Sequence, residues 1–242
     1  MLSQKAALDT VLGVINGPRA AEARRLDRIH AALSPVEDAR AGVAGRRPAL
    51  RMPDDVPDQV KELGRQSDTN YLPLLVKTFG QIMKVDGYLS KSDEGATAPW
   101  SWWQINRMDS RQTGIHRGAL SYGVAYALAL PGQYGIRGSL APVITTHSPR
   151  RLTAVYADPA KDEWPIMAVI REGDHIILID EEAEYRFGVE GRSGTTTPAV
   201  SAPLASGRLT FIEASAHEVG VTPVVRYVDR NLLAGEESLG IV

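Results

Sequence analysis

Ile166-Met167-Ala168-Val169-Ile170-Arg171-Glu172-Gly173-Asp174-His175-Ile176-Ile177-Leu178-Ile179-Asp180 is the stretch whose reading decides the fold class. Two short apolar runs, each long enough for a strand, meet at Glu172-Gly173-Asp174, where glycine permits the positive φ of a tight hairpin turn. Working outward, the same signals predict strands at 142–146, 152–156, 183–187 and 209–214, separated by Gly, Pro and Asp clusters. Val124-Ala125-Tyr126-Ala127-Leu128-Ala129-Leu130 follows Gly123 and reads as a buried strand. Between Gly188 and Gly207 a run rich in Ser, Thr, Gly and Pro reads as a mobile loop.

The first half of the chain carries helical periodicity instead. Leu8, Leu12 and Ile15 mark one amphipathic helix, stopped by Gly17-Pro18, and Leu26, Ile29 and Leu33 mark a second. From position 34 to 69, Pro35, Pro48, Pro53 and Pro57 among glycines and charges predict an extended connection with at most a helical turn near Val56 to Leu63. A stronger helix begins at Leu72-Pro73, where proline suits the first turn, and carries Leu72, Leu75, Val76, Phe79, Ile82 and Met83 at helical offsets. Val85-Asp86-Gly87-Tyr88-Leu89 is expected to form a short strand. A second helical region is expected from about Pro99 to Tyr122, interrupted by an N-cap at Asp109 or Ser110. The fold class is therefore α+β: amphipathic N-terminal helices (1–33), a connection (34–69), and a helix-flanked, mostly antiparallel β region (70–242).

Composition narrows the function. With 27 basic against 29 acidic side chains the formal net charge is −2, so no bulk positive field draws the chain onto nucleic acid or an anionic membrane. The absence of cysteine removes disulfides, Cys-ligated zinc, iron–sulfur clusters and thiol nucleophiles together. No window approaches 18 uncharged apolar residues, and the N-terminus lacks a signal-peptide pattern, which predicts a protein soluble when made.

Motifs for chemistry are missing from the pattern. The five histidines, at 30, 116, 147, 175 and 217, form no HxxxH pair; His116 and His147 are expected to make structural hydrogen bonds and the others to lie at the surface. The run Asp180-Glu181-Glu182-Ala183-Glu184 places consecutive carboxylates on opposite faces of a strand end, which suits a solvated hairpin edge better than a cation site. Gly132-Gln133-Tyr134-Gly135-Ile136-Arg137-Gly138 spaces its glycines unlike a phosphate-binding loop and reads as a flexible turn, and Gly191-Arg192-Ser193-Gly194 lacks the spacing of a nucleophile elbow. No catalytic residue, cofactor or metal ligand is expected.

Trp100-Ser101-Trp102-Trp103 stands out. On a helix Trp100 and Trp103 share one side while Trp102 lies well round the cylinder, so two aromatic faces need separate cover. The simple reading encloses Trp103 at least within its own domain; the alternative packs Trp100 or Trp102 on a neighbouring subunit, where aromatics are enriched.

The same region carries a family resemblance. Trp103, Asn106 and Asp109, followed by His116-Arg117-Gly118-Ala119-Leu120-Ser121-Tyr122-Gly123-Val124-Ala125-Tyr126, resemble the W-x-x-N-x-x-D and H-x-x-A-L-x-x-G-x-A-Y pattern of siphophage portal proteins, especially those of phages of actinobacteria. Asn70, Pro73 and the Val85-Asp86-Gly87-Tyr88 run resemble upstream elements of that family. Ser148-Pro149, Asp158-Pro159 and the segment from Val221 through Pro223 to Arg230 resemble downstream ones, with Asp229 where asparagine is expected. The colinear match covers about positions 20 to 242.

The resemblance implies a wing-like portal domain, with the stem, clip and crown built from later sequence. It implies a structural subunit of a homo-oligomeric ring, typically of twelve copies, at one capsid vertex of a virion. Double-stranded DNA would pass through it without sequence specificity during packaging and ejection. The implied partners are the major capsid protein, terminase and a head-tail adaptor, with synthesis in the bacterial cytoplasm and no membrane contact. It also gives the Gly188 to Gly207 loop a role, projecting toward capsid or scaffold. The alternatives are a truncated or defective prophage portal fragment, a monomeric binding module, or an enzyme with an unfamiliar site.

Overall fold

The computed structural model describes residues 1–33, 53, 55–67, 70–88, 97–132, 142–190 and 208–230. Helices α1 (Gln4–Asn16), α2 (Pro18–Leu33), α3 (Asp58–Ser67), α4 (Leu72–Ile82), α5 (Thr97–Ile105) and α6 (Met108–Tyr122) precede eight strands: β1 (Val124–Leu130), β2 (Val143–His147), β3 (Leu152–Val155), β4 (Met167–Glu172), β5 (His175–Ile179), β6 (Ala183–Val189), β7 (Leu209–Ala216) and β8 (Val224–Val228). The strands form two antiparallel sheets, a three-stranded one in the order β2-β1-β8 and a five-stranded meander in the order β3-β4-β5-β6-β7.

Side-chain alternation stacks these elements into layers. Along β4, Met167 and Val169 turn to one face of the five-stranded sheet, Ala168 and Ile170 to the other; β5 does the same with Ile176 and Leu178 against Ile177 and Ile179. The first face, with Tyr185 and Phe187 of β6, packs on Ala7, Val11, Val14 and Ile15 of α1. The second meets Val124, Tyr126 and Leu128 of β1, joining the two sheets. On the far side of the three-stranded sheet, Ala125 packs with Met108, Ile115 and Ala119 of α6. Each fully enclosed Leu, Ile or Phe in these cores contributes on the order of 2 kcal/mol through surface removed from water. The β1 and β4–β5 runs are apolar at nearly every position because both of their faces are covered.

Local chemistry sets the element ends. Ser3 Oγ accepts the Ala6 N–H at the start of α1 (3.3 Å), and Pro18 opens α2 directly after Gly17. The hairpin between β4 and β5 turns on Gly173 (φ 53°) and Asp174, with Glu172 facing His175 across the ladder, as the sequence predicts. At the end of α6, Gly123 adopts φ 84° and returns its N–H to the Ala119 carbonyl at 2.8 Å, turning the chain into β1. Gly123→Ala is expected to lower stability by about 1–2 kcal/mol, read as a shifted urea midpoint, because an L side chain strains that backbone. An unchanged midpoint would contradict this account.

Several expectations need correction. The stripe of α1 is broader than expected: Ile15 is buried as predicted, but Ala7, Val11 and Val14 go deepest, while Leu8 and Leu12 are only partly buried beside them. The connection holds a ten-residue helix, α3, rather than one turn. Residues 85–88 form no strand, because the Val85 N–H goes to Gln112 Oε1 (2.8 Å) instead of to a neighbouring ladder; Leu89 lies outside the described residues. The break between α5 and α6 comes at Arg107 (φ 53°), ahead of Asp109 and Ser110, which sit in the first turn of α6. The 224–228 run, read only as a motif, is a strand that pairs with β1 through Val124↔Val228 to Leu128↔Val224. Gly188 and Val189 belong to β6, while 191–207 and the 133–138 part of the glycine turn lie outside the described residues.

Candidate functional site

Trp100 and Trp103 stack on one side of α5 with ring centroids 6.2 Å apart and planes 11° from parallel. Trp103 packs against the α6 core and donates Nε1–H to Asp109 Oδ1 at 3.0 Å. Trp102 points away and is 41% exposed. The helical-wheel separation of the two faces is therefore real, and Trp102 is the more open of the two among the described residues.

Asn106 follows directly and is fully buried. Its Nδ2 donates to the Trp102 carbonyl (2.9 Å) and the Pro142 carbonyl (2.8 Å), and its Oδ1 accepts the Ile144 N–H (2.8 Å). One side chain thus fixes the α5–α6 corner to the start of β2. Arg111 adds a bond from Nη1 to the Ile144 carbonyl at 2.5 Å.

The other motif positions act at comparable joints. Asn70 donates to the Ala32 carbonyl (2.6 Å) and accepts the Leu72 N–H (3.2 Å), tying the end of α2 to the start of α4. His116 Nδ1–H donates to the Met83 carbonyl (3.0 Å), holding the exit of α4 on α6. Leu120 is half-buried on α6, and Tyr126 is buried between the sheets, where burial pushes its hydroxyl pKa up. Ser148 and the buried Pro149 form the β2–β3 turn: Ser148 Oγ accepts the Arg150 N–H (3.3 Å) and the Pro149 carbonyl accepts from Arg19 (3.3 Å). Asp158 caps a turn, accepting the Ala160 N–H (3.0 Å) and pairing with Lys161 (3.0 Å), and these bonds hold its carboxyl below the usual range. The Pro159 carbonyl accepts from Arg226 (2.6 Å), whose guanidinium lies 4.4 Å over the Tyr156 ring. Buried Pro223 accepts the Ala129 N–H on its carbonyl (3.0 Å), Pro73 is half-buried in the first turn of α4, and Arg230 is exposed. These residues are spread over the joints of the layers and do not converge on one point.

Sequence reasoning missed three features. Arg19 is 3% exposed and forks onto the β2–β3 turn, reaching the Pro149 and Arg150 carbonyls and Thr153 Oγ1. His217, expected at the surface, is buried, with Nε2 bonded to the Asp180 carbonyl (2.8 Å) and Nδ1 accepting the Val219 N–H (3.2 Å); His30 is half-buried near the Tyr122 hydroxyl (3.4 Å). Neither has a local signal for its burial, since the Asp180 and Tyr122 partners lie 37 and 92 residues away. The third feature is α4. Its periodicity predicts one apolar face, yet Val76 and Gly80 meet the rest of the domain while Leu74, Leu75, Phe79, Ile82 and Met83 are between 45% and 74% exposed.

A cavity of about 470 Å³ opens between α4, α6 and the β2–β3 turn, lined by Pro73, Val76, Arg117, Tyr122, His147 and Ser148 among others. Burial lowers the His147 pKa, and its Nε2 shares a hydrogen bond with Thr145 Oγ1 at 2.9 Å. Among the described residues no carboxylate lines the cavity to pair with that imidazole as acid and base. Asp180 spends Oδ1 on the Glu182 and Ala183 N–H groups, and Glu182 pairs with the terminal amine of Met1, so the acidic run is a turn with solvated flanks. Among the described residues no group of three or more His, Asp or Glu side chains could hold a metal ion, and no helix is long and apolar enough to cross a membrane.

A family model described as phage portal protein, SPP1 Gp6-like, matches residues 46–238. The chain belongs to this family of phage portal proteins. A search of curated proteins finds no match. Portal proteins are structural, oligomeric components of the phage capsid, and the α+β mix of helices and antiparallel sheets is consistent with a portal domain. In this portal chain the matched region runs from the connection before α3 to beyond β8, so it holds both sides of the joints described above except those to which α1 or α2 contributes a side, such as Asn70 to Ala32 and Arg19 to the β2–β3 turn.

Proposed function

We propose that this portal chain is a wing-like subunit of a ring, typically of twelve copies, at one capsid vertex. The ring is the conduit for DNA packaging and ejection and the head-to-tail connection. Its partners are the major capsid protein, terminase and a head-tail adaptor, and it is made in the host cytoplasm. The role is geometric, without catalysis or a cofactor. The observation that carries this reading is the distribution of the family-motif residues: Asn70, Asn106, His116, Pro149 and Pro159 each lock one element to another, through side chain or carbonyl, as a rigid building block requires. The balance of charge, net −2, fits a conduit, because each tight phosphate contact would add a barrier to sliding of the duplex.

Negative-stain electron microscopy and solution mass of the purified chain test this. Rings of fixed symmetry are expected, and Trp102→Ala is expected to reduce the ring fraction while leaving the urea midpoint of the monomer within about 0.5 kcal/mol, since Trp102 is 41% exposed. A wild-type chain that stays monomeric at high concentration would overturn the reading in favour of a monomeric binding module or fragment.

A further inference from the structure

The cavity between α4, α6 and the β2–β3 turn is bounded by two helix faces of little side-chain bulk. On α4, Pro73, Val76, Lys77 and Gly80 recur at the offsets of one helix face, and on α6, Gly114, Arg117, Gly118 and Ser121 do the same. Two of these glycines answer to close packing. An added Cβ at Gly80 would sit 2.9 Å from Arg117 Cγ, and one at Gly118 would sit 3.1 Å from Ala125 Cβ. Gly114 differs: a Cβ there would meet nothing within 4 Å among the described residues, although glycine weakens a helix interior. Its missing side chain keeps space open in a cavity of about 470 Å³, within the range of pockets that take small ligands or anchoring side chains.

The charge around that space has one sign. Lys77 and Arg117 line it from the two helices, and among the described residues no Asp or Glu does. Neither cation forms an ion pair among the described residues. Ser121, one helical turn beyond Arg117, is 4% exposed, and its hydroxyl at the cavity wall meets no hydrogen-bond partner among the described residues. A hydroxyl so enclosed is costly until something accepts its proton. Val76, Ile115 and Ala125 make the adjoining wall apolar.

We propose that this cavity binds an acidic peptide segment of a partner protein: an apolar side chain covers Val76, Ile115 and Ala125, and the Asp or Glu beside it is held by Lys77, Arg117 and the Ser121 hydroxyl. Two cations beside an apolar wall match a carboxylate carried on an apolar body. A phosphate would satisfy the cations and leave that wall wet, and a nucleic-acid backbone calls for a row of cations rather than two. Gly114, Lys77 and Arg117 are exposed, so the cavity opens to solvent, where a side chain of a larger molecule enters. Arg117, its stem set against Gly80, offers the planar fork that grips a carboxylate through two bonds. The inference goes beyond the ring reading and does not depend on it, because the cavity lies within one chain.

The test uses the full chain and short immobilised peptides, amidated at the C-terminus, in which Leu, Phe or Met stands beside Glu or Asp, or beside Gln or Asn as the neutral control. Biolayer interferometry is expected to find acidic members of the panel bound about ten-fold or more tightly than their neutral counterparts. Arg117→Gln and Lys77→Gln are each expected to weaken that binding by about five-fold or more. Gly114→Leu, which fills the cavity from a position without neighbours, is expected to weaken it by about ten-fold or more, with wild-type circular dichroism and a urea midpoint no lower than that of the wild type. The proposal is overturned if no acidic peptide binds at millimolar concentration, if acidic and neutral members bind alike, or if Gly114→Leu binds as the wild type does. Inorganic phosphate or a short DNA duplex that binds the wild-type chain more tightly than every peptide and displaces them overturns it in favour of a phosphate site.

Discussion

Asn106→Ala is expected to destabilise the chain by about 3–4 kcal/mol, a large part of the roughly 5–15 kcal/mol that separates folded from unfolded domains. The carboxamide is fully buried and uses both donors and its oxygen, on Trp102, Pro142 and Ile144. Alanine removes all three bonds and leaves the Pro142 carbonyl and the Ile144 N–H without their partner, at about 1–3 kcal/mol for each buried polar group left unsatisfied. The lost volume adds a small cavity beside Met108, itself 1% exposed. Asn106→Asp should cost at least as much, since one oxygen still receives Ile144 while the other faces the Trp102 and Pro142 carbonyls, acceptor against acceptor, in a buried site. Urea unfolding followed by tryptophan fluorescence reads the effect, because Trp102 and Trp103 lie in the adjacent turn. A shift below about 1 kcal/mol for the alanine variant would mean that the corner is held by something other than this side chain.

Arg19→Met is the second large effect, at about 2–4 kcal/mol. Methionine keeps the apolar stem, so the experiment isolates the guanidinium. That group bonds to the Pro149 carbonyl at 3.3 Å, to Thr153 Oγ1 at 2.5 Å and to the Arg150 carbonyl. Burial lowers the Arg19 pKa, with Glu22 and Asp27 opposing it, so the site holds a cation at a desolvation cost. Replacing a buried ion by an apolar side chain is often harmless when its partner is replaced as well. Here two of the three partners are main-chain carbonyls, which cannot be removed, so the loss dominates. Arg19→Lys should recover less than half, because a single ammonium cannot span the fork. If Arg19→Met unfolds at the wild-type urea concentration, the guanidinium does not hold α2 on the β2–β3 turn.

These two side chains mark where reading from sequence stops. Asn106 is part of a motif, yet its partners at the start of β2 lie 36 and 38 residues away, and nothing in the motif names them. Arg19 was one of several arginines on a short amphipathic helix; its partners are 130 to 134 residues away. The stacking of Trp100 on Trp103 and the separate direction of Trp102 were legible, because both follow from helical geometry over four residues. The α4 stripe was equally legible as a pattern, but periodicity reports only that residues share a side, not whether anything covers it.

The sequence by itself determined most local states: the helices at 4–16, 18–33 and 72–82, the strands β1 to β7, the two-residue turn at Gly173, the break at Gly17-Pro18, and, through ordered motifs, the portal family. Steric preference, side-chain period and turn chemistry act within a few residues, and so they survive without a fold. Tertiary structure alone decided that the eight strands among the described residues divide into sheets of three and five, that β8 completes the smaller one, and that α4 leaves its apolar arc open. Those outcomes depend on which surfaces meet when distant segments compete for the same cover, and burial energy has no address in the chain until the chain has folded.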